Sequence, residues 1–222
     1  MKRYKISRMG IIKTWDSLID NLNSLSYTEE KFRGIQLGFI SPYMISGVFY
    51  EKIFYTETIR DPIIGIYTED KQSFIALEFT IYRNESVFIL KNNTRTMSLY
   101  NFLSCYSYEF ITLQDVFIDV HKFYCLACKS IQEFNAKSII FNQFSFENGS
   151  SAQISISSIY DAVESSKKIG IAIPSGIKSL VFNYNCGGRK RTGSITKSGV
   201  ISLTTDDFEE VILPILNNCI CR

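Results

Sequence analysis

One stretch narrows the fold more than any other: "SFIALEFTIYRNESVFILKNN", which begins at Ser73. β-Branched and aromatic residues fill Phe74–Tyr82 and Ser86–Lys91, and the polar Arg83–Glu85 between them suits a turn, so the segment reads as an antiparallel hairpin. In its first arm Ile75, Leu77, Phe79 and Ile81 share one side, while Phe74, Ala76, Glu78 and Thr80 share the other. One side is therefore core and the other part-exposed. A hairpin with one apolar face needs a cover, and the rest of the chain must supply it.

Helical spacing marks the covers. Thr14 can cap "TWDSLIDNLNSL", where Trp15, Leu18, Ile19, Leu22 and Leu25 line one side. A short helix is expected over Thr96–Ser107. A longer one is expected over Leu113–Asn135, with Thr112 as its cap, because Leu113, Val116, Phe117, Val120, Tyr124, Ala127, Ile131 and Phe134 recur every three or four residues. Further helices are expected over Ser158–Ile169 and from Asp206, the last kinked or ended by Pro214. Strands are expected near Tyr4–Ile6, as short pieces within Arg33–Tyr55, and over Ser138–Phe146, Ala152–Ser157, Ile177–Asn185 and Gly199–Thr205. A turn at "ENGSS" and a loop around Pro174 and Gly176 separate the later elements. Hairpins with irregularly interspersed helices favour an α+β fold with mixed or antiparallel sheets. A boundary near Asn135–Ser138 would divide it into an N-terminal lobe, 1–136, and a C-terminal lobe, 137–222.

Composition sets the class of partner. The formal charge is only +2, so attraction to a polyanion must come from a local cluster and not from the whole body. The opening "MKRYKISRMGIIKTW" has no apolar run of secretory type, and "GFISPYMISGVFY" is too short and too interrupted to span a bilayer. Six cysteines without framework spacing then read as free thiols, and the expectation is a cytoplasmic protein with no membrane contact. The Ile-, Asn-, Lys-, Ser- and Phe-rich composition is what an AT-rich gene encodes, which suits a bacterial mobile-element or antiviral-defence setting.

The local cluster is "CGGRKRTGS", Cys186 to Ser194. Arg189, Lys190 and Arg191 are bracketed by Gly187, Gly188 and Gly193, with hydroxyls at Thr192 and Ser194 and a further cation at Lys197. Glycines let backbone N–H groups approach an anion, and guanidinium groups clamp phosphate oxygens. No Gly-Lys-Ser/Thr opens a helix here, so this is no Walker loop; it joins two strands. The bland reading is a hairpin tip with solvated charges. The functional one is contact with nucleic-acid backbone.

Two other groups carry chemistry. His121, Cys125 and Cys128 fall on one helical stripe and form an alternative zinc set, with Cys219 or Cys221 as a fourth ligand; core packing is the competing reading. Asp61, Glu69 and Lys71, with Glu78 as a further ligand, resemble in type the carboxylates and lysine of a Mg²⁺-dependent nuclease. Against that, Glu69, Asp70 and Lys71 read as a solvated turn. The aromatics of "YSYEF" (Tyr106, Tyr108, Phe110) suit base stacking or a protein partner, with packing as the competing reading.

No nucleotide, nucleophile-elbow or zinc-protease motif occurs, and no cofactor is expected. The leading expectation is a non-catalytic accessory or adaptor subunit. It would dock on a partner protein through strand edges and aromatic surfaces, with the basic hairpin loop touching nucleic acid. The alternatives are the metal-dependent nuclease and a purely protein-binding module.

Overall fold

Period-two alternation dominates the chain, and the fold follows it: antiparallel sheet prevails, with helices in the minority. The structure, a computed structural model, describes residues 1–91, 96–141, 144–145, 151–168 and 176–221. In chain order come β1 (Lys2–Ile11), α1 (Trp15–Ser24), β2 (Arg33–Ile40), β3 (Met44–Asp61), β4 (Gly65–Tyr82) and β5 (Val87–Lys91). Next are α2 (Thr96–Tyr106), β6 (Ile111–Asp115), α3 (Val120–Ser130), β7 (Asn135–Phe141), β8 (Phe144–Ser145), β9 (Ser151–Ala152) and β10 (Ser155–Ser157). The chain continues through α4 (Ala162–Lys168), β11 (Ile177–Cys186), β12 (Arg189–Thr196) and β13 (Val200–Leu203). It then makes a π-helical turn (Phe208–Ile212) and α5 (Leu213–Leu216). The turn at 147–150 and the loop around Pro174 lie outside the described residues.

By their internal contacts the residues group into two units, Met9–Leu113 and Met1–Arg8 with Gln114–Arg222. In the first, β2, β3, β4 and β5 form an antiparallel sheet in that order. Ile45, Phe49, Leu77, Phe79, Ile81, Phe88 and Leu90 all point to one side. There they meet Trp15, Leu18 and Leu22 of α1 and Leu99, Phe102 and Leu103 of α2. The α1 start is fixed by a reciprocal cap: Ser17 N–H donates to Thr14 Oγ1 at 3.2 Å, and Thr14 N–H donates to Ser17 Oγ at 3.1 Å. Trp15 Nε1 donates to the Ser41 carbonyl at 2.9 Å, so its buried ring keeps no unpaired donor.

In the other unit the antiparallel order is β10, β7, β11, β12, β13, β1. Phe123 of α3 packs on Phe182 of β11 at 5.7 Å between centroids, and Tyr4 stacks on Phe208 at 4.3 Å. Each such fully buried ring contributes about 1.5–3 kcal/mol of transfer free energy. The Tyr4 hydroxyl donates to Asp206 at 2.7 Å; burial, then that bond, pushes its pKa well above the ordinary phenol value.

Three expectations are corrected. The stripe from Leu113 is not one helix: β6 and an extended stretch precede α3. Val116, Ile118 and Val120 also alternate with period two, and Ile118 N–H bonds the Lys197 carbonyl at 2.8 Å while the residue pairs with Ile220. The helix begins only after Asp119, whose carboxylate accepts Lys122 N–H at 2.9 Å, and ends before Asn135, which opens β7. Arg33–Tyr55 holds not short strands but β2 and the first part of an 18-residue β3. The region after Gly188 is itself a strand, β12, not a loop. Pro214 is the second residue of the short α5, directly after the π-helical turn, and the helical run ends two residues later at Leu216.

Candidate docking arm and basic hairpin tip

β3 and β4 pair without interruption from Met44↔Tyr82 to Asp61↔Gly65. Their flanking strands stop early: β2 follows β3 only as far as Glu51, and β5 meets β4 only from Phe79. Among the described residues, the nine pairs from Ile53↔Ser73 to Asp61↔Gly65 therefore form a two-stranded ribbon with no further strand paired to either long edge, the Lys52 N–H just before them still bonding the Phe32 carbonyl at 2.8 Å. Its length is about 30 Å at the usual rise per residue. Phe54, Tyr55, Ile66, Tyr67 and Phe74 are all exposed along it.

A carboxylate cap shapes the tip. Asp61 Oδ1 accepts from the N–H groups of Ile63 (2.7 Å) and Ile64 (2.8 Å), Pro62 fixes the first corner, and Gly65 supplies the φ of +93°. The Ile64 bond and then the Ile63 bond hold the Asp61 carboxyl below its usual range. Ile63 is 93% exposed and Ile64 75%, so the turn presents two adjacent branched side chains to solvent.

The acidic residues singled out from the sequence fall along this ribbon. Glu69, Asp70 and Lys71 are strand residues of β4, not a turn, because the corner lies four residues earlier at Asp61–Gly65. Asp61 is a turn cap. Glu69 faces Glu57 across the ribbon, and Lys71 bridges both carboxylates, Glu57 at short range and Glu69 at 3.5 Å. The bond to Glu57 raises the Lys71 pKa. Glu78 is nine residues from Glu69, roughly 30 Å along the strand. It lines a shallow cavity of about 390 Å³ with Gln36, Ser46, Thr80 and Lys91. The structure thus brings Glu69 and Lys71 together but leaves Asp61 and Glu78 far apart.

The β11–β12 hairpin answers the basic cluster residue by residue. Cys186 pairs with Arg189, so Gly187 (φ +61°) and Gly188 (φ +72°) are a two-residue turn that requires positive φ at both positions. Arg189 and Lys190 are exposed beside it. Arg191 points to the packed side instead, where Nη1 lies 3.3 Å from Asp207 Oδ2. Its Nε is buried without a hydrogen-bond partner among the described residues. Tyr184 also donates to Asp207 at 3.0 Å, and Thr205 donates to it at short range. Burial disfavours the Asp207 charge, but the bonds from Thr205 and Tyr184 and the nearby Arg191 outweigh it and hold the carboxyl low. Burial raises the Tyr184 hydroxyl to about 12.

Gly193 has a packing role: a Cβ there would lie 2.5 Å from the Phe182 ring. Thr192 Oγ1 donates to Asn183 Oδ1 at 2.9 Å, and Ser194 sits half-buried between Val181 and Ser202. Lys197 is eight residues from Arg189, roughly 26 Å along the strand, with its ammonium 6.0 Å from the Phe117 ring. Of the six residues expected to contact phosphate, Arg189 and Lys190 stand exposed together at the tip.

On α3, His121 Nε2 lies 3.8 Å from Cys125 Sγ. Cys128 is one turn further on, near Tyr124 and Asp161; burial raises its thiol pKa and that of the Tyr124 hydroxyl. Among the described residues no three His, Cys, Asp or Glu side chains converge as metal ligands would. His121 and Lys197 share a cavity of about 140 Å³ with Cys221. All six cysteines are free thiols. Tyr106 and Tyr108 are exposed, and Phe110 lies under the Lys13 ammonium at 4.3 Å.

The arm and its isoleucine tip escaped the sequence reading, although a signal was present. "YTETIRDPIIGIYTED" carries Asp-Pro and Gly at turn spacing between two β-branched runs. Among the described residues no helix is long and apolar enough to cross a membrane. No family model matches the chain, and comparison with curated proteins finds no relative.

Proposed function

We propose that the chain is a non-catalytic accessory subunit that docks on a partner protein through the β3–β4 arm. In the same reading Arg189 and Lys190 touch nucleic-acid backbone. The observation that carries it is the arm tip: Ile63 and Ile64 project into water from a turn capped by Asp61. A pre-ordered apolar knob loses little freedom when it enters a pocket, which is how a few residues come to dominate an interface. The two tip cations supply a backbone contact that is weak alone and effective when the partner adds a second surface.

The test is recovery of the tagged chain from its own host cells. A protein is expected to accompany the wild type in near-equal amount and the Arg189→Ala/Lys190→Ala variant equally well. It is expected to disappear with Ile63→Asp/Ile64→Asp. A companion indifferent to the isoleucine change would end the docking half of the proposal.

A further inference from the structure

A two-stranded ribbon with both edges open is at best marginal in water, and exposed unpaired edges recruit further strands. The question is which strand fits. From Gly65 to Glu78, β4 has β3 on one side and no described strand on the other. We infer that this edge pairs antiparallel with the same edge of a second copy of the chain, about a two-fold axis through Asp70.

The register follows from symmetry and charge. Directly opposed residues of an antiparallel pair share a face, and a two-fold axis normal to the sheet preserves that face. The axis must therefore pass through a residue opposed to itself, and only residues of equal parity can face one another. On β3 the cations Lys52 and Arg60 have the opposite parity to the acids Glu57 and Asp61, so no two-fold register there opposes unlike charges. On the free part of β4, Glu69 and Lys71 share a parity, and the one centre that opposes them is Asp70. That register also sets exposed Ile66 against exposed Phe74 and Thr68 against Gln72, each pair occurring twice. Centring on Glu69 or Lys71 stacks that charge on its own copy and leaves every unlike pair unmatched. Pairing in parallel opposes each charge with itself. The remaining like contact is Asp70 with Asp70 on the axis.

This inference goes beyond the adaptor reading and is told apart from it by residue, since its register rests on Glu69, Lys71, Ile66 and Phe74 while Arg189 and Lys190 take no part. Sedimentation equilibrium of the full chain at low salt tests it. The wild type is expected to dimerise. Lys71→Glu and Glu69→Lys should each weaken the dimer about tenfold or more, while the double exchange restores it to within about threefold. Asp70→Asn should tighten it. Lys71 also bridges carboxylates of its own chain, so a single variant that loosens the ribbon would mimic lost association; the double exchange, and a disulfide between two copies of Asp70→Cys located by peptide mapping, separate the two effects. A wild type that stays monomeric to about 100 µM overturns the proposal, as does a folded double exchange that fails to regain the dimer.

Discussion

Arg191 Nη1 lies 3.3 Å from Asp207 Oδ2, so the third cation of the Arg189–Arg191 run serves the protein's own interior. Asp207 is 7% exposed and Arg191 22%, and the carboxylate accepts in addition from Tyr184 and Thr205. Asp207→Ala leaves all three donors without it and should cost about 2–4 kcal/mol in urea unfolding. Arg191→Ala should cost less, about 1–2 kcal/mol, because Tyr184 and Thr205 still satisfy the carboxylate.

The same pair sets an acid limit. The Asp207 carboxyl is held lower in the folded protein than its ordinary value, so the unfolded chain binds the proton first as pH falls. Its stabilisation is complete above the unfolded value near 4 and is lost as pH drops through the folded one. Unfolding free energies taken from about pH 6 down to 2 should fall less steeply in Asp207→Asn than in the wild type. Equal slopes would remove Asp207 from the acid response.

Binding to a single-stranded oligonucleotide should depend on salt through two contacts. Arg189 and Lys190 stand free at the tip, which corresponds to a slope of log affinity on log salt of roughly −1 to −2. Arg189→Ala/Lys190→Ala should flatten it. Arg191→Ala should leave the slope unchanged while lowering stability, a separation that fluorescence anisotropy and urea melts read independently.

The glycines of this hairpin differ in kind. A methyl at Gly193 would meet Phe182 at 2.5 Å and Leu203 at 2.8 Å, so Gly193→Ala should destabilise by about 1–3 kcal/mol through overpacking. Gly188 faces open space but has a φ of +72°, so Gly188→Ala carries backbone strain alone, about 1 kcal/mol. Denaturant midpoints should rank them in that order.

Alkylation should sort the thiols. Cys219 is buried, its Sγ donates to the Ile215 carbonyl at 3.2 Å, and burial raises its pKa to about 12. Cys105 and Cys221 are exposed. Iodoacetamide at pH 8 should label those two at least tenfold faster than Cys219 in the native protein, and mass mapping at short times gives the ratio.

The sequence carried its local rules faithfully. Thr14 announced α1, and the alternation of Ile75, Leu77, Phe79 and Ile81 marked the core side of β4. What it hid were effects settled by distant partners. Val116, Ile118 and Val120 satisfy helical and extended periods alike, and the choice was made by the Lys197 carbonyl and Ile220, remote in sequence. Glu69, Asp70 and Lys71 look like a turn because three consecutive charges seldom sit in a covered strand. They are in a strand with no cover, where both faces tolerate charge. Likewise nothing local to "RKR" distinguishes Arg191 from its neighbours; strand parity and Asp207 do.

Since β3 and β4 run unbroken from the packed sheet to Ile63, the ribbon is a spacer with a set reach. In the proposed docking, a molecule that grips those isoleucines would be kept about twelve strand residues away from Phe49 and Leu77. Deleting cross-strand pairs two at a time, so that the faces keep their sides, would draw the bound molecule inward by about 7 Å per step without altering the grip itself.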